Sequence, residues 1–192
     1  MRFKKPIIAA LVASLLMTPV HAATRPGVAA AAARGASSEA EARGAITQAF
    51  ERLRTGDYGA VYDALPSASQ RRVSRERFVS ALRRTRERVE LDRMDVAALR
   101  VAGDLAMVDT VVYGRVLRPM QGEGKIVSRQ YLVREGGRWR VTTGDSSTVR
   151  PLLTANPQFA RRFPPTAPRV YLKRDGRWID LSALAPKSGA RR

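Results

Sequence analysis

Asp109 and Tyr113 stand four residues apart in the stretch Ala106 to Leu117, where apolar and other residues alternate. On a strand that spacing puts both side chains on one face. A buried carboxylate with a phenol beside it can act as a general base with a donor at hand. Other routes to chemistry are closed. The chain has no Cys, and its one His is His21. Without them zinc sites and Ser-His or Cys-His nucleophiles are excluded in their usual forms. Gly103, Gly114, Gly122, Gly124, Gly136 and Gly137 form no phosphate-binding fingerprint, since none lies between a strand and a helix start at the needed spacing. No Ser sits in a Gly-x-Ser-x-Gly elbow. No cofactor and no metal are expected. The plainer reading of the pair makes Tyr113 a wall residue and gives Asp109 an Arg partner.

The ends and the charge set the setting. Residues 1–22 read as a secretory signal: basic MRFKK, then the uncharged run Pro6 to Val20, then Val20-His21-Ala22 as a cleavage site. The apolar run is short for a membrane span. The protein is therefore expected to be exported, periplasmic or secreted, after cleavage near Ala22. The 192 residues include 35 basic and 17 acidic ones, and 30 of the basic residues are Arg. The resulting net charge of +18 attracts polyanions. The densest patch holds Arg71, Arg72, Arg75, Arg77, Arg83, Arg84, Arg86 and Arg88. An anionic membrane surface suits such a patch better than nucleic acid does, because no aromatics interleave for base stacking. No nucleic-acid partner is expected. The plain reading of these arginines is a solvated helix face.

The elements that must position these residues follow from periodicity. After a flexible Ala/Gly-rich lead-in (23–37), Ser38 to Glu41 fits a capping box. Ala42, Ala45, Ile46, Ala49, Phe50 and Leu53 then form one helical stripe, and Gly56 ends it. Asp57 caps a short helix that Pro66 stops, and Ser74 caps a third helix with Phe78, Val79 and Leu82 inward. From there the period becomes two. Strands are expected over 96–101, 106–117, 126–134 and 138–143. The order predicts an α+β fold with three helices on one face of a four-stranded antiparallel sheet. A Pro-rich irregular arm (146–168), a C-terminal β-hairpin (169–184) and a disordered tail (185–192) complete it.

The stretch Gly56 to Leu82, GDYGAVYDALPSASQRRVSRERFVSAL, resembles the nuclear transport factor 2-like, or SnoaL-like, superfamily. The likeness lies in the Gly-Asp-Tyr after the first helix, the Tyr within the second, the Ser-rich turn and the early Phe of the third. The ending YLVREGGRWRVT is also similar. Within the superfamily the nearest likeness is to the N-terminal domains of penicillin-binding transpeptidases and lone exported relatives. It covers Ser38 to Asp145. The resemblance implies a curved sheet wrapped around the helices as a cone, with a pocket at its open end. It makes Tyr58, Tyr62, Asp63 and Trp139 candidate pocket-lining residues and gives Asp109 and Tyr113 as the catalytic candidates. The fold hosts enzymes, binding modules and structural parts alike.

Tyr131 to Val141, YLVREGGRWRV, and Tyr171 to Leu181, YLKRDGRWIDL, look like a repeat. Two-residue turns at Gly136-Gly137 and Asp175-Gly176 fix their pairing. Leu132 then faces Val141 and shares a face with Trp139, whereas Leu172 faces Ile179 and Trp178 falls on the opposite side with Tyr171. One Trp is expected in the core, the other under the main domain or on a binding patch. The sequence reads best as an exported, non-catalytic protein that binds an envelope partner or a small apolar ligand. An enzyme built on the Asp/Tyr pair is the alternative. A basic surface binder of anionic lipid or polysaccharide is third. Apolar residues on both faces of Ala106 to Leu117 fit a homodimer through the sheet face, or cover by the C-terminal arm.

Overall fold

The computed structural model describes residues 26–118, 121–144 and 146–182, with side chains from residue 34 on. The expected signal (1–22) and tail (185–192) lie outside the described residues. No helix among the described residues is long and apolar enough to cross a membrane.

Helix α1 runs from Pro26 to Thr55, well upstream of the expected start. From Pro26 on, the lead-in read as flexible is helical, because alanine has the highest helix propensity and Pro26 is tolerated at a first position. Gly56, at φ +88°, ends the helix in the left-handed region. Asp57 accepts from the Ala60 N–H at 3.1 Å and caps α2 (Tyr58–Asp63). The expected connecting turn contains one helical turn, α3 (Ser67–Gln70). Ser74 accepts from the Arg77 N–H at 3.4 Å and caps α4 (Arg75–Arg86). In its first turn the Glu76 carboxyl is held below its ordinary range, chiefly by a backbone N–H and then by Ser74.

The strands are β1 (Val89–Ala102), β2 (Leu105–Val116), β3 (Gly122–Glu135), β4 (Arg138–Val141), β5 (Arg169–Arg174) and β6 (Arg177–Asp180). They form one six-stranded antiparallel sheet, not a four-stranded sheet with a separate hairpin. The cause is the length of β3. Along one edge β3 pairs with β2; on the other, β4 takes Leu132–Glu135 and β5 takes Gly124–Val127. The chain leaves that edge after β4 and returns to its vacant half. Strand β1 starts at Val89, ahead of the expected 96–101, and two register shifts, at Leu91/Arg93 and Val96/Ala98, break its alternation. At Gly114 a Cβ would collide with the Glu90 carbonyl oxygen, so only glycine lets the two strands close there.

The arm read as irregular is largely helical: α5 (Ser146–Ala155) and α6 (Pro157–Arg162). Pro151 cannot donate to the Ser147 carbonyl four residues back. The Arg72 guanidinium donates to that carbonyl instead. Pro157 opens α6 at a position where no intrahelical donor is needed.

Two cores result, one on each face of the sheet. Ala42 and Ile46 of α1 pack on Leu99, Ala106, Val108, Leu132 and Trp139. On the reverse face, Val149, Leu153, Phe159 and Phe163 pack on Leu105, Met107 and Tyr131. The C-terminal arm thus covers part of the second sheet face. The Tyr131 hydroxyl donates to the Phe163 carbonyl at 3.0 Å, and burial raises its pKa above the usual value.

Candidate functional site

Between the helices and the sheet lies a cavity of about 290 Å³. Its wall is apolar on the helix side: Ile46, Phe50 and Leu53 of α1, Val61 and Leu65 around α2, Phe78 and Leu82 of α4. The sheet contributes Met94, Val112 and Val141 together with the polar Thr110, Gln130 and Thr142. The volume sits at the lower end of the roughly 300–1,000 Å³ seen for small-molecule sites, and the mix of apolar wall and few polar groups is typical of them. The Val141 N–H donates to the Ala64 carbonyl at 3.0 Å, which ties β4 to the end of α2 and fixes the rim.

The polar groups come from neighbouring register positions. Thr110 lies opposite Ser128, and Val108 lies opposite Gln130. The Thr110 and Ser128 hydroxyls are 3.2 Å apart, and the Gln130 amide donates to Ser128 Oγ at 3.2 Å. Gly144, at φ +74°, leaves room for the Gln130 side chain, since a Cβ there would lie 2.9 Å from Gln130 Oε1. Thr142 differs from these. It is 4% exposed, and its hydroxyl has no hydrogen-bond partner among the described residues. An unmade hydrogen bond of this kind costs about 1–3 kcal/mol.

The sequence-chosen residues are dispersed. Asp109 and Tyr113 share a face, but it is the face turned away from α1. Asp109 alternates with Val108 and Thr110, which face the helices, so the pleat sends it to the reverse side. There Arg129 binds it through two N–H groups, at 2.8 and 2.9 Å, and also donates to the Pro164 carbonyl at 2.9 Å. The Asp109 bond raises the Arg129 pKa. Tyr113 lies under the Arg93 guanidinium, 3.7 Å from its centroid. Tyr58 is buried, and the Tyr62 hydroxyl donates toward the Gln70 and Val73 carbonyls at 3.0 Å each. Asp63 is exposed and pairs with Arg75 at 3.0 Å. Asp63 and Trp139 border a separate polar groove of about 500 Å³ between α1 and β4, with Glu41, Arg52, Arg138 and Arg140.

Asp109→Ala leaves Arg129 half-covered without its carboxylate, so it should lower stability by about 1.5–3 kcal/mol in a urea melt. Ligand uptake by the cavity should not change, since the carboxylate is on the other side of the sheet. Loss of uptake in this variant, with the fold intact, would place Asp109 in the binding machinery after all.

All six arginines singled out on and before α4 are exposed: Arg71, Arg72, Arg75, Arg83, Arg84 and Arg86. Two are committed to the fold, Arg72 to Ser147 and Arg75 to Asp63. The inward edge of α4 is Phe78, Val79 and Leu82, all half-buried. Thr110, Gln130 and Thr142 were not singled out from the sequence. The signal for the first was there, since Thr110 is a polar residue in the apolar series Ala106, Val108, Val112.

No family model matches the chain, and no curated protein matches it. Among solved structures it is similar to a SEC-C motif containing protein from Rhodopseudomonas palustris, at 12% identity, over 48% of this chain and 68% of that one, with a TM-score of 0.40. It is also similar to an NTF2-like transpeptidase from Campylobacter jejuni, at 12% identity, over 50% and 93% of the two chains, with a TM-score of 0.35. A third is an LEH-like epoxide hydrolase from M. tuberculosis, at 19% identity, over 66% and 98%, with a TM-score of 0.36. These likenesses are loose, and the chemistry of the cavity rests on its own residues.

Proposed function

We propose that this protein is an exported, non-catalytic binding protein that takes a small, largely apolar ligand into the cavity between α1, α2, α4 and the sheet. Export rests on the three-part leader in residues 1–22. Binding rests on the cavity, whose apolar wall is interrupted by the polar side chains of Thr110 and Gln130. A ligand with a hydrocarbon body and one carbonyl, hydroxyl or carboxyl group complements that wall. The Asp/Tyr enzyme is disfavoured by position, because Asp109 is clamped by Arg129 on the opposite sheet face.

The test uses a fluorescent apolar probe and its displacement by medium-chain fatty acids and alcohols. Val112 lines the cavity and is half-buried, so Val112→Trp should fill the space and abolish uptake while the protein stays folded. Thr142→Val should raise the stability of the free protein by about 1 kcal/mol, since it removes a buried hydroxyl without a partner among the described residues, and should leave uptake unchanged. Equal uptake by wild type and the Val112 variant would overturn the assignment of the cavity.

A further inference from the structure

Among the described residues four large hydrophobic side chains are exposed: Ile126 (38%), Val170 (40%), Trp178 (36%) and Ile179 (44%). They are not scattered. Val170, Trp178 and Ile179 lie on the β5–β6 hairpin, and Ile126 is the β3 residue paired with Val170. Leu172 lies opposite Ile179, and Lys173 opposite Trp178. Alternation then sends Ile126, Val170 and Ile179 to one face of the sheet and Trp178 to the other. Strand β6 is an edge strand and is exposed along its whole length. The apolar surface therefore wraps around the edge of the sheet instead of lying on one face.

Cations interleave with its rings. The Lys125 ammonium lies 4.6 Å from the Trp178 centroid and 5.0 Å from that of Tyr171. Lys173 lies 5.9 Å from Trp178 and also pairs with Glu123 at 2.8 Å. Lys125 has no carboxylate within ion-pair distance among the described residues, only the two rings. Trp178 meets Tyr113 edge-on at 6.4 Å, which fixes its orientation. Trp, Tyr and Lys around an aliphatic edge is the composition that settles at the boundary between lipid headgroups and acyl chains.

We propose that the β5–β6 hairpin docks the protein on an anionic lipid surface, edge first, with Trp178 and Ile179 at the headgroup boundary and Lys125 toward lipid phosphate. The shape selects this occupant. A sugar chain stacked on the Trp178 face, or a second sheet packed against either face, covers one side of the edge. A lipid surface meets both sides. The charge agrees, since clustered cations on a chain of net charge +18 are drawn to anionic headgroups. The surface goes beyond the ligand cavity and does not depend on it.

The experiment is co-sedimentation of the full chain with vesicles of phosphatidylcholine, with and without phosphatidylglycerol, read together with Trp emission. The chain has two Trp, and Trp139 is buried, so a blue shift on vesicle binding reports Trp178. Binding should require phosphatidylglycerol. Trp178→Ala with Ile179→Ser should weaken it at least ~10-fold, from the lost apolar burial. Replacing Arg83, Arg84 and Arg86 by Gln should weaken it no more than ~3-fold, as lost long-range attraction only. Three results overturn the proposal. One is unchanged binding by the hairpin variant. Another is loss only in the α4 variant. The third is no binding to vesicles with phosphatidylglycerol; retention on an anionic polysaccharide, or a dimer that the hairpin variant dissolves, would then name the occupant instead.

Discussion

Phe159→Ala should lower the free energy of unfolding by about 3–5 kcal/mol, the range for removing a buried aromatic ring without collapse of the site. Phe159 is 7% exposed and stands between two other rings, 6.1 Å from Tyr131 and 5.0 Å from Phe163. Val149, Leu153 and Phe163 share the same buried cluster with Leu105 and Met107 of the sheet. Truncation opens a hole bounded by α5, α6 and β2, and none of these can move inward alone. The Tyr131 hydroxyl is fastened to the Phe163 carbonyl, and Arg129 to the Pro164 carbonyl. The arm is thus a structural half of one cooperative unit. A guanidinium melt followed by far-ultraviolet circular dichroism should show a single transition moved to lower denaturant. A loss below about 1 kcal/mol, or a separate early transition for the arm, would make it an appendage.

That arm marks where the sequence stopped being legible. Its prolines at 151 and 157 read as breakers, so the sequence predicts an irregular arm over 146–168. Yet Val149, Leu153, Phe159 and Phe163 carry apolar spacing of helical kind. What proline takes from α5 is repaired from far away, by Arg72 donating to the Ser147 carbonyl, and no local pattern reveals a partner 75 residues distant. The sheet was missed for the same reason. That β5 returns to β3 is a long-range pairing, and the residues of β5 fit a lone hairpin equally well. What depends on neighbours alone was readable: the Asp57 and Ser74 caps, the stripe of α1, the two hairpin turns. The site divides likewise. Asp109 and Tyr113 were rightly placed on one face, but which face meets the helices depends on packing.

The two tryptophans give the second large effect, and their contrast tests the register that sets them. Trp139→Ala should cost about 3–5 kcal/mol, and Trp178→Ala about 1 kcal/mol or less. Both follow a Tyr-Leu stretch and a two-residue turn with positive φ, Gly136-Gly137 in one case and Asp175-Gly176 in the other. One residue separates them in register. Arg134 pairs with Trp139, so Trp139 lies on the same face as Leu132, which pairs with Val141. That face carries α1, and Trp139 is 8% exposed beside Ala42 and Ile46. In the second hairpin Lys173 pairs with Trp178, and Leu172 with Ile179. Trp178 is turned to the other face, where Tyr113 and two lysines lie against its ring. Its loss costs one edge-on ring pair and its cation contacts. The indole N–H of Trp139 has no partner among the described residues, so Trp139→Phe gives up ring area but no hydrogen bond and should cost less than the alanine. Denaturant midpoints for the three variants decide the matter. Equal losses at positions 139 and 178 would mean that the second hairpin is buried as deeply as the first, and the edge assigned to lipid would then be an interior surface.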